Sequence, residues 1–183
     1  MIGLVGLGVV VVLVLAGVGL YNGLVRARVR VDEAWSGIST QLKRRHDLIP
    51  NLVETVKGYA GHEKSVLEKV TELRTRAMGA TTPGQVAQSE GLLTQALRGL
   101  YAVAENYPDL KANQSFLSLQ QALADTEGMI AGARQGYNAA VRDLNTRIES
   151  VPTNLLAGPF GFMRREFFEI EDPADRAVPQ VRF

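Results

Sequence analysis

The chain has 183 residues, 46% of them hydrophobic, with a formal net charge of +1 and no cysteine. The balanced charge gives no whole-chain bias toward nucleic acid. The missing cysteine excludes disulfides, thiolate metal sites, a cysteine nucleophile and lipoprotein-type cysteine acylation.

The first element is an apolar run. Ile2 to Leu20 contains only Ile, Gly, Leu, Val and Ala, and the first charged side chain is Arg26. As a helix this run rises about 28 Å, close to the roughly 30 Å hydrocarbon thickness of a bilayer. Lipid obliges the backbone to bond internally, so the run (Ile2, Gly3, Leu13, Leu20) is expected to be a membrane-spanning helix despite its valines. A cleaved signal peptide would need a basic start and a better small-residue cleavage site than Leu15-Ala16-Gly17-Val18-Gly19. Arg26, Arg28 and Arg30 follow the run. By the positive-inside rule they place the N-terminus outside and the body in the cytoplasm, and they can meet anionic lipid head groups at about 1 kcal/mol each. Their plainer role is the solvated start of the next helix. Gly19 and Gly23 are four apart, a spacing that permits close helix approach.

The chain is organised around Glu33 to Glu63, which holds the only tryptophan, both histidines and the densest basic cluster, Lys43-Arg44-Arg45. From Tyr21 the helix is expected to continue unbroken, because Val31, Ala34, Trp35, Ile38 and Leu42 recur at helical spacing. Arg44 then lies roughly 35 Å beyond Leu20, too far to touch the same membrane along a straight helix. The basic cluster is read either as a solvated helix end or as a docking surface for an acidic partner or an acidic segment of this chain. Pro50 lacks a backbone donor and Asp47 can cap, so His46 to Pro50 is expected to be a turn or kink.

A second helix is expected to end near Met78-Gly79. The loop Ala80 to Gly84 follows, with Thr82 as cap and Pro83 at a first helical position. The third helix, from Pro83 to about Asn106, carries Val86, Leu93, Leu97, Leu100 and Ala104. In the fourth, Phe116, Leu119, Leu123, Thr126, Ile130, Ala133, Tyr137, Val141, Leu144 and Ile148 keep a near-heptad seam up to Val151-Pro152. Tyr21-Asn22-x-x-Val-Arg is echoed by Tyr137-Asn138-x-x-Val-Arg, which suggests equivalent packing in two helices.

The tail, Pro152 to Phe183, holds five of the six phenylalanines, too many for a disordered segment. Phe160 to Ile170, including Phe167 and Phe168, is expected to pack on the bundle or on a neighbouring subunit. Its acids (Glu166, Glu169, Glu171, Asp172) are a candidate counterpart for Lys43 to Arg45. The fold reading is therefore all-α. An anchor (1–25) continues into an elongated antiparallel bundle of about four long helices (26–151), and an aromatic tail (152–183) packs on it.

Catalytic signatures are sparse. His62-Glu63 lacks the second histidine that a zinc-protease helix needs, since position 66 is Val. His46 and His62 are read as surface or interhelical polar residues. Neither a nucleophile elbow nor a phosphate-cradling loop occurs. Glu33, Glu54, Glu63, Glu68 and Glu72 lie among basic residues at helical spacing, as in solvated ion-pair faces. No catalytic residue, cofactor or metal ligand is assigned.

Tyr21-Asn22, Ala34-Trp35-Ser36 and above all Gln41-Leu42-Lys43-Arg44-Arg45-His46-Asp47-Leu48-Ile49-Pro50-Asn51-Leu52-Val53 resemble the LemA family. So do Val56-Lys57-Gly58-Tyr59, His62-Glu63, Tyr137-Asn138, the Phe-Phe-Glu stretch and the closing Pro179 to Phe183. The resemblance implies a bacterial protein of the cell (inner) membrane with a single N-terminal span, a helical body and no established catalysis. It also implies an association with a membrane-embedded zinc protease or other envelope proteins, and one magnetosome-associated relative points to the shaping of internal membranes. The expected partners are the lipid bilayer, further copies of the chain, and a membrane protease or other envelope protein, with no nucleic acid. The leading expectation is a non-enzymatic, membrane-anchored scaffold that self-assembles. An adaptor of a membrane protease in envelope stress is the second reading and a hydrolase with an unrecognised site the third. Trp35, Lys43, Arg44, Arg45, His46, Asp47, Pro50, Tyr137, Phe167 and Phe168 are the candidate partner or interhelical residues.

Overall fold

A computed structural model describes residues 2–169. The expectations placed on Ile170, Glu171, Asp172 and Pro179 to Phe183 lie outside the described residues. Among those described there are six helices and no strand, so the protein is all-α. They are α1 (Ile2–Lys57), α2 (Lys64–Met78), α3 (Pro83–Ala104), α4 (Pro108–Lys111), α5 (Gln114–Glu149) and α6 (Asn154–Ala157). The chain forms two compact units, residues 2–38 with 133–166 and residues 39–132 with 167–169. Each unit takes part of α1 and part of α5.

In the unit of residues 39–132, the main core gathers Ile49, Leu52 and Val56 of α1, Leu67, Val70 and Leu73 of α2, Leu93, Leu97 and Leu100 of α3, and Phe116 and Leu123 of α5. A fully buried side chain of this size contributes about 1.5–3 kcal/mol, so the apolar stripes dominate the packing. Thr82 caps α3 in a capping box with Gln85, and Pro83 stands in its first turn, as the sequence suggests. The helix is shorter than expected, ending at Ala104, and Pro108 opens the one-turn α4.

Of the turn or kink expected at residues 46–50, the turn is overturned: α1 runs through Pro50 to Lys57, and the break falls at Gly58 to Glu63. Proline at position 50 removes the amide that would bond the His46 carbonyl, which ordinarily costs about 3 kcal/mol with the ring clash. Here Arg74 Nε of α2 donates to that carbonyl at 2.7 Å. The orphaned acceptor has a charged donor, and the helix continues. Asp47 is consequently an interior helix residue, not a cap. The true break is pinned by Asn113, which donates to the Tyr59 hydroxyl at 2.9 Å, and by the buried Ala60.

In the unit of residues 2–38 and 133–166, Leu24, Ala27, Val31 and Ile38 of α1 are buried, as are Tyr137, Val141 and Leu144 of α5. Leu4 to Leu15 and Val18 are exposed along the apolar start of α1. The chain after α6 reverses at Gly161, whose φ of 71° suits glycine. Phe162 N–H bonds Ala157 C=O at 2.9 Å and Gly161 N–H bonds Gly158 C=O at 3.0 Å, the paired pattern of a Schellman turn. That turn buries Phe162.

Candidate functional site

The densest polar feature is a buried charged cluster in the unit of residues 39–132. Arg45 and His46, adjacent on α1, both reach Glu90 of α3. Arg45 Nη1 lies 3.2 Å from Glu90 Oε2, and His46 Nε2 lies 2.6 Å from Oε1. The side chains are 5%, 9% and 7% exposed for Arg45, His46 and Glu90, so both interactions are shielded from water. Arg45 Nη2 also donates to Thr94 Oγ1, one turn along α3, at 2.7 Å. Adjacent α1 side chains diverge by about 100°, and the two oxygens of one carboxylate receive them both. The Arg74 bond to the His46 carbonyl ties α2 to the same point. The arrangement joins three helices through groups that have partners.

A cavity of about 150 Å³ adjoins the cluster, lined by Arg45, Thr94, Arg98, Tyr101, Gln120 and Glu127 among others. That is below the roughly 300 Å³ at which ligand pockets begin. Burial pushes the Tyr101 hydroxyl above the ordinary tyrosine range, against the pull of Arg45. Among the described residues, no group of three or more His, Asp or Glu side chains is placed to hold a metal ion.

A second polar feature fastens the tail in the other unit. Asn145 Nδ2 donates to Arg165 C=O at 2.9 Å, and Arg165 N–H donates back to Asn145 Oδ1 at 2.8 Å. The Tyr137 hydroxyl donates to Glu166 C=O at 2.8 Å, and the Arg165 guanidinium meets Asp32 at 3.0 Å. Burial raises the Tyr137 hydroxyl above its ordinary range, with Arg165 opposing. Trp35 packs on the Tyr137 ring at 5.3 Å, and Tyr21 meets Phe160 and Phe162 edge-on at 5.0 and 5.7 Å.

Residues 34–183 match the LemA family model. This chain belongs to the LemA family. It is similar to magnetosome protein MamQ 2 of Paramagnetospirillum magneticum, 28% identical over 189 residues that cover 88% of this chain and 70% of that protein. Magnetosome protein MamQ of Magnetospirillum gryphiswaldense is 25% identical over the same coverage. Protein LemA of Metamycoplasma hominis is 27% identical over 144 residues, 76% of this chain and 64% of that protein. Among the described residues of this LemA-family chain, one helix, α1, is long and apolar enough to cross a membrane.

The candidate residues separate cleanly in this LemA-family chain. Arg45 and His46 are interhelical and buried, while Lys43 and Arg44 are exposed. The expected pairing of Arg45 with the tail acids is corrected: its partner is Glu90. Lys43 bonds Asp47 at 2.9 Å one turn on and holds that carboxyl below its usual range. Pro50 is exposed, Phe167 half-buried and Phe168 buried. Of the head-group candidates, Arg26 is exposed, Arg28 stacks on Phe162 at 5.2 Å, and Arg30 pairs with Asp143 at 2.6 Å. Gly23 faces the Arg147 side chain of α5, so the Gly19–Gly23 pair does not present an open face at its second member. The two Tyr-Asn segments pack differently: Tyr21 lies against phenylalanines, whereas Tyr137 bonds a tail carbonyl. Sequence reasoning missed Glu90, Thr94, Arg74 and Asn145. Glu90 had a signal, since it fills the gap between Val86 and Leu93 in the apolar stripe of α3.

Proposed function

We propose that this LemA-family chain is a non-enzymatic, membrane-anchored helical scaffold that assembles with copies of itself and organises proteins of the bacterial envelope. The anchor (residues 1–25) crosses the inner membrane with the N-terminus outside and the body in the cytoplasm. The carrying observation is the apolar start of α1. Its leucines and valines from Leu4 to Leu15 are exposed, yet the helix is continuous with the packed body, as expected of a segment that lipid covers. The relatives called magnetosome proteins support a membrane-associated role. The Arg45–His46–Glu90 cluster is closed to solvent and is read as structural, since a catalytic site needs polar groups converging in an open pocket.

Self-assembly is supported by α5. Gly128, Gly132 and Gly136 recur every four residues, and space is open where a Cβ would stand on each. Glycine inside a helix costs about 0.5–1 kcal/mol relative to alanine. The fold of one chain gives no steric reason for the three, and close approach of another helix does. The absence of native cysteine makes single-cysteine variants clean probes. With Gly132→Cys in native membranes, mild oxidation is expected to give a dimer band, while the exposed Glu72→Cys gives none. A Gly132→Cys chain that links neither to a copy nor to another protein would overturn the scaffold reading. Exposed Arg44 beside Lys43 favours a second reading, an adaptor that docks an acidic face of a membrane-embedded zinc protease. In that case Gly132→Cys links to no copy and Arg44→Cys cross-links to one protein of different mass.

A further inference from the structure

We propose that residues 151–163 form a second membrane-contacting element, entering the lipid interface beside the anchor. The proposal rests on the reading of the first part of α1 as a membrane span. The exposed residues of this segment are apolar apart from Asn154. Val151 is 78% exposed, Leu155 70%, Phe160 57% and Met163 76%. Its inward residues are apolar too: Ala157 and Phe162 are buried. A loop in water would ordinarily place polar residues at the exposed positions.

The position of the segment identifies what covers it. Leu156 and Phe160 line an apolar cavity of about 320 Å³ together with Val14, Gly17, Val18 and Tyr21 of α1. Val14 stands about 9 Å along the helix axis before Leu20, the end of the apolar run. The segment is therefore held level with the last turns of the span. Amphipathic elements that lie in the interface bury their apolar faces about 5–10 Å into it, the same depth. The Tyr21 contacts with Phe160 and Phe162 place aromatic rings where the span leaves the hydrocarbon, the level favoured by aromatic side chains. Arginines follow immediately outward: Arg26 and Arg28 on α1, then Arg164 paired with Glu149 and Arg165 paired with Asp32. The surface runs from apolar to aromatic to cationic, in the order of the layers of a phospholipid leaflet. The Schellman turn at Gly161 keeps the two ends of this gradient in register.

The test uses the full chain in liposomes of phosphatidylethanolamine and phosphatidylglycerol, with or without bromine on the acyl chains, which quench tryptophan on contact. Trp35→Phe removes the native fluorophore. Single tryptophans are then placed by Leu13→Trp in the span, Leu155→Trp and Phe160→Trp in the segment, and Val29→Trp further along α1. The expected result is loss of emission in brominated lipid for Leu13→Trp, Leu155→Trp and Phe160→Trp, with Val29→Trp unaffected. Quenching of Leu13→Trp alone would overturn the proposal and leave the span intact. Should Leu13→Trp also escape quenching, the span reading itself fails, and the proposal with it. Segment tryptophans protected from both brominated lipid and aqueous acrylamide would show that a second copy covers the surface, which also overturns the proposal. The substituted segment positions are exposed, and helical circular dichroism equal to wild type confirms folding of each variant.

Discussion

Removing the Glu90 carboxylate leaves Arg45 and His46 buried without their common acceptor. Arg45 keeps only its bond to Thr94, and at 5% side-chain exposure its charge cannot reach water without local opening. Breaking a buried pair by deleting one partner costs about 3–5 kcal/mol. Glu90→Ala is therefore expected to destabilise the unit by that amount, lowering the melting temperature by about 12–40 °C for a unit of this size. The measurement is guanidinium unfolding of the detergent-solubilised full chain, followed by helical circular dichroism. Two companions make it decisive. Glu72→Ala, whose partner Lys69 is exposed, should cost under about 0.5 kcal/mol. The triple variant Arg45→Met/His46→Phe/Glu90→Leu should recover most of the loss, because apolar groups of similar volume leave no charge to desolvate. A Glu90→Ala protein as stable as Glu72→Ala would refute the reasoning, for it would mean that Arg45 is solvated.

Three other outcomes follow from the same physics. Pro50→Ala restores an amide for the His46 carbonyl, so Arg74→Met should cost less in that background than alone; the double-mutant cycle should give a coupling of roughly 1–2 kcal/mol, and strict additivity would remove Arg74 from the account. Asn145→Ala deletes both bonds to the Arg165 backbone and should cost about 1–2 kcal/mol, with faster proteolytic cleavage between residues 158 and 167; an unchanged digestion pattern would show that Phe162 packing alone holds the tail. Burial raises the folded-state Tyr101 and Tyr137 hydroxyls above the ordinary value of about 10. Their contribution to stability is thus fully present below about pH 10 and lost as pH rises through the higher folded values. Unfolding free energy measured from pH 8 to 11 should fall at the alkaline end, less steeply in Tyr137→Phe, and a flat profile would contradict the assignment.

Much of this architecture was legible because local signals and burial agreed. Thr82-Pro83 with Gln85 three positions after the threonine describes a helix start by itself, and the structure places α3 there. The seam from Phe116 to Leu144 carries its period over enough turns that packing had no reason to override it. Pro50 is different. Whether proline breaks a helix depends on the fate of a carbonyl four residues earlier, and that fate was decided by Arg74, distant in sequence. Gly58 and Gly61, which sit at the true break, offered the weaker local cue. The buried cluster was half visible: Arg45 and His46 stood out as partner or interhelical candidates, but three basic residues in a row also suit a solvated helix end, and the run does not say which of them turn inward. Spacing on α1 alone cannot tell that residues 45 and 46 face inward while 43 and 44 do not. Glu90 on the apolar stripe of α3 was the clue to that. Asn145 and the backbone of Arg165 pair through a chain reversal at Gly161 that no helical period encodes.

The scaffold proposed for this chain requires that membrane-anchored copies self-assemble. Light scattering of the full-length protein in mild detergent, corrected for bound detergent, gives the mass of that assembly. The account predicts a discrete mass of several chains that Gly132→Leu reduces, since a bulky side chain blocks close helix approach. A single-chain mass at every concentration, unchanged by Gly132→Leu, would contradict it.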